Sequence, residues 1–226
     1  MNIKEKYPFY GLPRVYATLR REGFVVNKKR VHRLLKVMNM LVPIKRKRKK
    51  FNSAPKNVYP IAAGVNETWA MDFVFDRLQN GTPFRSLTII DTLSRYVPGI
   101  LVSPKMEGFL PVDFLEELKA KVKLPKHIVL DNGPEFLNHV FVSWCERNSI
   151  ALHFIDPGKP VQNAFIESFN GKYRNEFLNQ HNFKSMDDVR RKLNAWVKFY
   201  NEERPHSSLD FLTPKQFADQ DLKVVC

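Results

Sequence analysis

The sequence lacks the features of a membrane protein or a secreted protein. It contains no run of about 18 apolar residues, the length that a membrane-spanning helix needs. The first residues, Met1 to Lys6, are charged and hold no apolar segment, which argues against a secretory signal. Only two cysteines occur in 226 residues, Cys145 and Cys226, and they form neither a CxxC pair nor a disulfide framework. These absences favour a reducing, intracellular compartment.

Negative charge is scarce in the first quarter of the chain. The whole sequence holds 37 Lys and Arg against 23 Asp and Glu, a net charge of +14. Residues 1–60 hold 17 of the cations but only two acids, Glu5 and Glu22, whereas residues 61–226 hold 20 cations and 21 acids. This asymmetry predicts two modules. The basic excess predicts a polyanionic partner, with nucleic acid first and an anionic membrane surface second.

The basic module has the pattern of two short helices. Residues 12–22 place apolar side chains on one helical face, and Gly23 follows where a helix usually ends. Asn27 is a suitable N-cap for a second helix over 28–39, whose apolar residues follow helical spacing: Val31, Leu34, Leu35 and Met38. Its start and its polar side are basic, with Lys28, Lys29, Arg30 and Arg33. We predict a helix-turn-helix DNA-binding segment over 1–42. The alternative is a helical hairpin with a solvated charged face.

Six consecutive cations follow this pair of helices. They are Lys45, Arg46, Lys47, Arg48, Lys49 and Lys50. We predict a basic linker over 43–64 that contacts DNA phosphates through this block, Lys45, Arg46, Lys47 and Arg48 included. A nuclear-localisation signal is the alternative interpretation.

The second module, residues 65–226, has the sequence pattern of a mixed α/β domain. The predicted strands are Trp69–Phe75, Phe84–Thr92, Tyr96–Val102, His127–Leu130 and Ala151–Ile155. The predicted helices are Leu110–Val122, Leu137–Asn148, Gln162–Leu178 and a last helix that begins after Ser185 and runs to Asn201. An antiparallel meander followed by parallel strands and helices is the order of an RNase H-like fold, with a five-stranded mixed sheet flanked by helices. Other α/β folds have similar orders.

Three acidic residues stand at unusual places in this module. Asp72 lies inside an apolar strand, where a charge is costly unless solvent or a metal reaches it. Asp131 directly follows an apolar strand, and ligands gather at the carboxyl ends of parallel strands. Glu167 lies on a helix. Each has an ordinary alternative: an edge-strand Asp, an Asp-Asn-Gly hairpin turn, and a solvated helical face.

The helix that carries Glu167 has two stripes. At 100° per residue, one polar face gathers an amide, a carboxylate, a second amide and a guanidinium: Asn163, Glu167, Asn170 and Arg174. A separate aromatic stripe, predicted to face the core, consists of Phe165, Phe169, Tyr173 and Phe177. The polar stripe suits the edge of a metal site and a phosphate.

The residues around these acids resemble a known family. The strings WAMDF over 69–73, LDNGPEF over 130–136 and GKPVQNAFIESFNG over 158–171 are similar to the integrase catalytic core of bacterial insertion-sequence transposases, relatives of retroviral integrases. The intervening residues 132–166 number 35, the spacing of that superfamily's Asp, Asp-35-Glu signature, and Arg174 stands where the family has a basic residue. YNEERPHSSL over 200–209 and the segment from Tyr10 to Leu41 also resemble the downstream-frame product of two-frame elements.

The resemblance implies a chemistry and its cofactor. Asp72, Asp131 and Glu167 would hold two Mg²⁺ ions, with Mn²⁺ as a substitute, for cleavage and strand transfer of DNA at insertion-sequence ends without a covalent enzyme intermediate. Arg174, Lys159 and Asn163 would position the DNA.

The resemblance also implies partners and a location. They are the terminal repeats and target DNA, further copies of the chain, and the upstream-frame product, in the bacterial cytoplasm at the nucleoid, with no membrane. Relatives carry more sequence upstream. A truncated, non-catalytic DNA-binding regulator of transposition is therefore the main alternative, and a nuclease that cuts without joining is a third.

Overall fold

The computed structural model describes residues 3–43, 61–156 and 160–224. The predicted DNA contacts Lys45, Arg46, Lys47, Arg48 and Lys159 lie outside these described residues. None of the helices in the described ranges combines the length and the apolar character needed to span a bilayer.

Five strands form one mixed sheet. They are β1 (Thr68–Arg77), β2 (Pro83–Asp91), β3 (Ile100–Ser103), β4 (His127–Leu130) and β5 (Ala151–Phe154). Their order across the sheet is β3-β2-β1-β4-β5. The β1–β2 and β2–β3 pairs are antiparallel, whereas β1–β4 and β4–β5 are parallel. The predicted meander followed by parallel additions is therefore confirmed.

Eight α-helices accompany the sheet within the described residues. They are α1 (Ile3–Lys6), α2 (Leu12–Arg21), α3 (Lys28–Val37), α4 (Leu110–Lys119), α5 (His139–Arg147), α6 (Ala164–Glu176), α7 (Met186–Glu202) and α8 (Pro214–Val224). A 3₁₀ turn over Pro160–Asn163 leads into α6. The short α1 and the whole of α8 were not predicted from the sequence.

The sheet separates two hydrophobic cores because residues alternate between its faces. On one face Trp69 and Met71 of β1 pack with Leu115 of α4 and Trp144 of α5. On the other face Ala70 and Val74 pack with residues of α6 and α7, among them Ile166, Phe169, Tyr173, Leu193 and Trp196. The result is three layers, helices over each face of a central sheet.

The third strand is shorter than its apolar pattern predicts. Arg95 adopts a left-handed φ of 61° in the turn after β2, and Pro98 has no N–H to give to a ladder. Between them the backbone of Val97 bonds to the Asn201 side chain of α7, with N–H···Oδ1 and Nδ2···O distances of 2.9 Å. The pairing with β2 therefore begins only at Ile100.

The core stripe of α6 is also displaced from the predicted one. Phe169, Tyr173 and Phe177 are buried as expected, but Phe165 is only half-buried and lies under the guanidinium of Arg95, 4.1 Å from the ring centroid. Ile166 takes the place in the core that was assigned to Phe165. A helix of 3.6 residues per turn drifts from a strict i, i+4 series, which explains the exchange.

The N-terminal helices pack together and onto α7. Asn27 caps α3 by accepting a hydrogen bond of 2.8 Å from the Lys29 N–H, as predicted, and Gly23 has a φ of 85°. Val31 and Leu35 are buried, whereas Leu34 and Met38 are 48% and 57% exposed, so only half of the predicted apolar stripe of α3 is core. The aromatic rings of Tyr7 and Phe199 stack 5.1 Å apart and join this segment to α7.

A buried ion pair ties the C-terminal part of the chain to α6 and α2. The Arg204 guanidinium is fully buried and donates two hydrogen bonds of 2.6 Å to the Glu176 carboxylate. Arg14 of α2 donates to the same carboxylate at 3.3 Å. His206 is also buried, and its Nε2 accepts a hydrogen bond of 3.2 Å from Arg204. One carboxylate therefore links three separate parts of the sequence.

His206 is expected to make stability fall in acid. Burial, together with the charges of Arg204, Lys172 and Arg14, lowers the pKa of His206 to about 2. The unfolded chain binds a proton below a pKa of about 6.5 whereas the folded chain does not, so stability is lost as the pH falls below that value. We expect this residue to remove about 2 kcal/mol of unfolding free energy between about pH 7.5 and about pH 5. Urea denaturation across that range measures the change.

The matched variants separate this residue from general acid denaturation. His206→Asn keeps an acceptor for Arg204 and should flatten the pH dependence. His32→Asn, at an exposed position of α3, should leave the pH dependence as it is in the parent chain. Equal slopes for the two variants would rule out His206 as the source.

Candidate active site

Asp72 lies on β1 on the sheet face that α6 covers, between Ala70 and Val74. Its Oδ1 accepts a hydrogen bond of 2.7 Å from the Phe73 N–H, and its Oδ2 accepts one of 2.7 Å from the Asn170 amide. The side chain is partly buried rather than enclosed. The structure thus places an acid within a central strand and still leaves it a route to solvent.

Two residues that were not selected from the sequence as site residues bracket Asp72. Thr88 stands directly opposite it on β2 and donates to Asn170 Oδ1 at 2.9 Å. Asn170 in turn donates to Asp72, so β2, α6 and β1 are joined by one chain of hydrogen bonds. Asn170 was visible in the polar stripe of the helix, but Thr88 carries no signal in the sequence that distinguishes it from an ordinary strand residue.

Asp131 follows β4, the strand parallel to β1. The paired residues run from Thr68 with His127 to Ala70 with Val129, and Asp72 and Asp131 each stand two residues further along. The chain then turns, and the Gly133 N–H donates to Asp131 Oδ1 at 3.1 Å. A Cβ on Gly133 would lie 3.0 Å from that oxygen, so a side chain at this position would crowd the Asp131 carboxylate.

Glu167 is exposed in the first turn of α6, one turn before Asn170. The pKa of Asp72 is raised to about 6: burial is the largest cause, the negative charges of Asp131 and Glu167 add to it, and the hydrogen bonds from Phe73 and Asn170 oppose it. Burial also raises the pKa of Glu167. Asp131 and Glu167 thus both act electrostatically on Asp72, and a cation near Asp72 would relieve this repulsion.

The donors suit a hard cation such as Mg²⁺. Among the described residues, no three His, Cys, Asp or Glu side chains form a ready-made metal-binding group. The chemistry of the donors fits nevertheless, because carboxylate oxygens are the ligands that Mg²⁺ prefers. In addition, Oδ1 of the almost fully buried Asn163 has no hydrogen-bond partner among the described residues, although its Nδ2 faces the Met71 carbonyl oxygen at 3.5 Å. An unpaired buried oxygen beside the strand of Asp72 is a further potential ligand or water acceptor.

The remaining predicted DNA contacts differ in their exposure and in the elements that hold them. Arg174 is exposed further along α6 and donates to the Phe75 carbonyl oxygen of β1 at 2.9 Å, which keeps its guanidinium at the sheet edge. Asn163 is 4% exposed, which suits a place behind the carboxylates better than a direct contact with DNA. The basic residues of α3 are all exposed, on a separate part of the molecule: Lys28, Lys29, Arg30 and Arg33.

Sequence comparisons agree with this architecture. Residues 62–160 and 148–214 match two profiles described as an integrase core domain, and residues 3–48 match an HTH-like domain. The sheet order, the helices on both faces and these matches define the class: an RNase H-like, integrase-type core preceded by a helix-turn-helix-like segment.

Relatives among known proteins narrow the class to a family. The chain is 37% identical over 209 residues to the insertion element IS407 uncharacterized 31.7 kDa protein of Burkholderia multivorans, covering 92% of this chain and 75% of that one. It is 38% identical over 219 residues to the insertion element IS476 uncharacterized 39.2 kDa protein of Xanthomonas euvesicatoria, covering 96% of this chain but only 63% of that one. Transposase InsF for insertion sequence IS3A of Escherichia coli is 26% identical over 228 residues, covering 94% and 78%. The chain belongs to the insertion-element transposases with an integrase core, enzymes of the polynucleotidyl transferase type.

Solved structures share the fold. An intasome of simian T-cell lymphotropic virus with a PP2A regulatory subunit aligns with 92% of this chain and 70% of its own at 20% identity and a TM-score of 0.60. The HTLV-2 integrase catalytic core domain in complex with magnesium, in its trimeric form, aligns with 70% of this chain and 99% of its own at 19% identity and a TM-score of 0.57. At these identities the likeness concerns the fold alone.

Proposed function

We propose that the chain catalyses Mg²⁺-dependent cleavage of DNA at the ends of its insertion sequence and transfer of the cut strand to target DNA. Asp72, Asp131 and Glu167 would be the catalytic residues and the ligands of two Mg²⁺ ions. The observation that carries the proposal is that the parallel strands β1 and β4 bring Asp72 and Asp131 to the same level of the sheet, although the two acids lie 59 residues apart in the sequence. Glu167 lies on the same helix as the Asn170 that bonds Asp72, and the charges of Asp131 and Glu167 both contribute to raising the pKa of Asp72. Structural acids are normally kept apart, because like charges in one site destabilise each other.

Each residue has a distinct task in this proposal. Bound Mg²⁺ would supply activation of the attacking water or 3′-hydroxyl and stabilisation of the leaving oxygen. The chain's own part is positioning: Asn170 holds the Asp72 carboxylate, and Gly133 leaves room for Asp131. Arg174 at the sheet edge would bind a DNA phosphate near the reacting one.

The proposal also assigns a role to each of the three segments of the chain. Residues 1–42 would bind DNA through the exposed cations at the start of α3, 43–64 would act as a basic linker, and 65–226 would form the catalytic core. Lys45, Arg46, Lys47, Arg48 and Lys159 stay proposed as phosphate contacts. We further propose that copies of the chain assemble on paired element ends, together with the upstream-frame product, at the bacterial nucleoid in the cytoplasm.

A joining assay tests the proposed chemistry. The chain is incubated with labelled element-end duplex and target DNA in Mg²⁺, in Mn²⁺ or in excess chelator. We expect nicked and joined products in either metal and none in chelator. Products in chelator would contradict the metal assignment. Binding without any product would indicate a non-catalytic regulator, and nicks without joining would indicate a nuclease.

Asn170→Ala is expected to lower the joining rate by about 10–100-fold, the usual cost of losing a residue that orients a metal ligand. The variant removes the bond to Asp72 and leaves Thr88 without its acceptor on α6. Because Asn170 touches neither metal nor DNA in this proposal, affinity for the element end should stay unchanged. The measurement is the initial rate of joining at saturating DNA.

The control for this variant is Asn175→Ala, an exposed asparagine of the same helix. It should join at the parental rate. Equal rates for the two variants would mean that the hydrogen-bond chain through Asn170 does not serve the reaction.

A further inference from the structure

A pocket lined by several cationic side chains lies near the buried ion pair. We name it the cationic pocket; it has a volume of about 400 Å³ and is lined by residues of α2, the turn after β2, α6 and the segment that follows α7. Its charged and imidazole side chains are Arg14, Arg95, Lys172, Arg204 and His206. The exposed hydroxyl groups of Ser207 and Ser208 are at its border.

The cationic pocket is on the opposite side of α6 from the proposed active site. Ser168 and Lys172 line the pocket, whereas Asn170 and Arg174 face the sheet beside Asp72. At 100° per residue the two pairs project in directions about 160° apart. The pocket is thus a separate site, and none of the proposed metal ligands reaches it.

Among the described residues, positive charge at this pocket exceeds the negative charge bonded to it, even with Arg95 left aside. Arg14, Lys172 and Arg204 line the pocket, and the Glu176 carboxylate is bonded to both Arg204 and Arg14. The pKa of Lys172 is lowered to about 8: burial is the largest cause, the charges of Arg204, Arg14 and Arg95 add to it, and Glu176 opposes it. The surroundings therefore disfavour the charged form of Lys172, and a bound anion would stabilise that form.

The donors are fixed before any ligand arrives. The guanidinium of Arg95 is held over the Phe165 ring, and the ammonium of Lys172 is held by a bond of 2.9 Å to Ser168 Oγ. The Arg204 guanidinium is fully buried and anchored on Glu176. The nitrogens of Arg204 already bond Glu176 and His206, so this residue contributes charge rather than a free donor. The ammonium of Lys172 and the exposed hydroxyls of Ser207 and Ser208 supply donors suited to the oxygens of a phosphate group.

We propose that the cationic pocket binds a phosphate group, supplied either by the backbone of DNA or by free phosphate in solution. The free-phosphate source is independent of the function proposed above. The DNA source rests on that function, because it would give the DNA a second contact behind the catalytic helix.

The first arm of the test measures free phosphate in excess chelator, so that the metal site plays no part. Thermal unfolding of the full chain is compared in phosphate and in chloride at equal ionic strength. At about tenfold the dissociation constant, the melting temperature should rise by about 3–5 °C. Lys172→Gln should lose most of this rise yet be at least as stable as the parent in chloride. Lys121→Gln, an exposed lysine of another helix end, should keep the rise.

The second arm measures DNA. The slope of log K against log salt for a duplex should be smaller by about one for Lys172→Gln than for the parent, the change expected for one lost phosphate contact. The Ser207→Ala/Ser208→Ala double variant repeats both arms without touching a buried charge. If the variants lose the phosphate-induced rise in melting temperature but keep the parental salt slope, the ligand is free phosphate. If their salt slope for DNA binding is smaller than that of the parent, the ligand is DNA. If both variants behave as the parent in both arms, the proposal is overturned.

Discussion

Asp131→Asn is expected to reduce cleavage and joining of element-end DNA by about 10³-fold or more while leaving binding to that DNA unchanged. The estimate follows from removing a charged ligand worth several kcal/mol in the transition state, at about 1.4 kcal/mol for each factor of ten. The amide keeps the size of the side chain and its Oδ1, so the bond from the Gly133 N–H can persist and the turn should fold as before. The loss would therefore be chemical rather than structural.

Two measurements separate these possibilities. The first is a single-turnover joining assay in Mg²⁺, and the second is the urea midpoint of the variant, which should match that of the parent. Asp113→Asn, an exposed acid in the first turn of α4, serves as the control and should retain full activity. Joining by Asp131→Asn at a rate close to that of the parent would remove Asp131, and with it the proposed triad, from the mechanism.

The place of Asp131 could be predicted because it depends on chain order. An apolar strand of four residues, followed at once by an acid and a turn, has its carboxyl end at one edge of the sheet whatever the details of packing. His127–Leu130 has the predicted boundaries. Asp72 was equally accessible to prediction, since a charge within an apolar strand is anomalous wherever the strand lies in the sheet.

The hydrogen bonds that hold the Asp72 side chain in place could not be predicted in the same way. The bond from Thr88 to Asn170 joins residues 82 apart, and it exists only because α6 packs across β1 and β2 at a particular height. The predicted strand over residues 96–99 is absent for a similar reason. The side chain of Asn201, 104 residues away, forms the hydrogen bonds with the Val97 backbone that a neighbouring strand would otherwise form. Local patterns determine elements, whereas such contacts depend on how the elements dock.

The largest omission was the buried pair of Glu176 and Arg204. Composition alone assigns both residues to the surface, because Glu and Arg are rarely buried unless they are paired. Nothing within helical or strand spacing connects positions 28 residues apart. The pair becomes visible only when the chain after α7 returns to α6 and brings Arg14 of α2 to the same carboxylate.

Glu176→Gln is expected to lower the unfolding free energy by about 3–5 kcal/mol, the cost of leaving a buried charge without its partner. The amide would accept one guanidinium N–H in place of two and would turn its own donors towards cations. Arg204, fully buried, and Arg14 would both lose their countercharge. A loss of this size is a large part of the 5–15 kcal/mol typical of a domain. Urea denaturation followed by tryptophan fluorescence measures it.

Two further variants test whether the loss comes from uncompensated charge rather than from packing. Asp187→Asn breaks the exposed pair with Arg190 and should change the unfolding free energy by less than about 1 kcal/mol. The double variant Glu176→Gln/Arg204→Met removes the buried guanidinium as well, and it should be more stable than Glu176→Gln alone, because a buried pair can be replaced by apolar volume at small cost. If the double variant is instead the less stable of the two, packing by the Arg204 side chain outweighs its charge, and the stability of this junction does not depend on the ion pair.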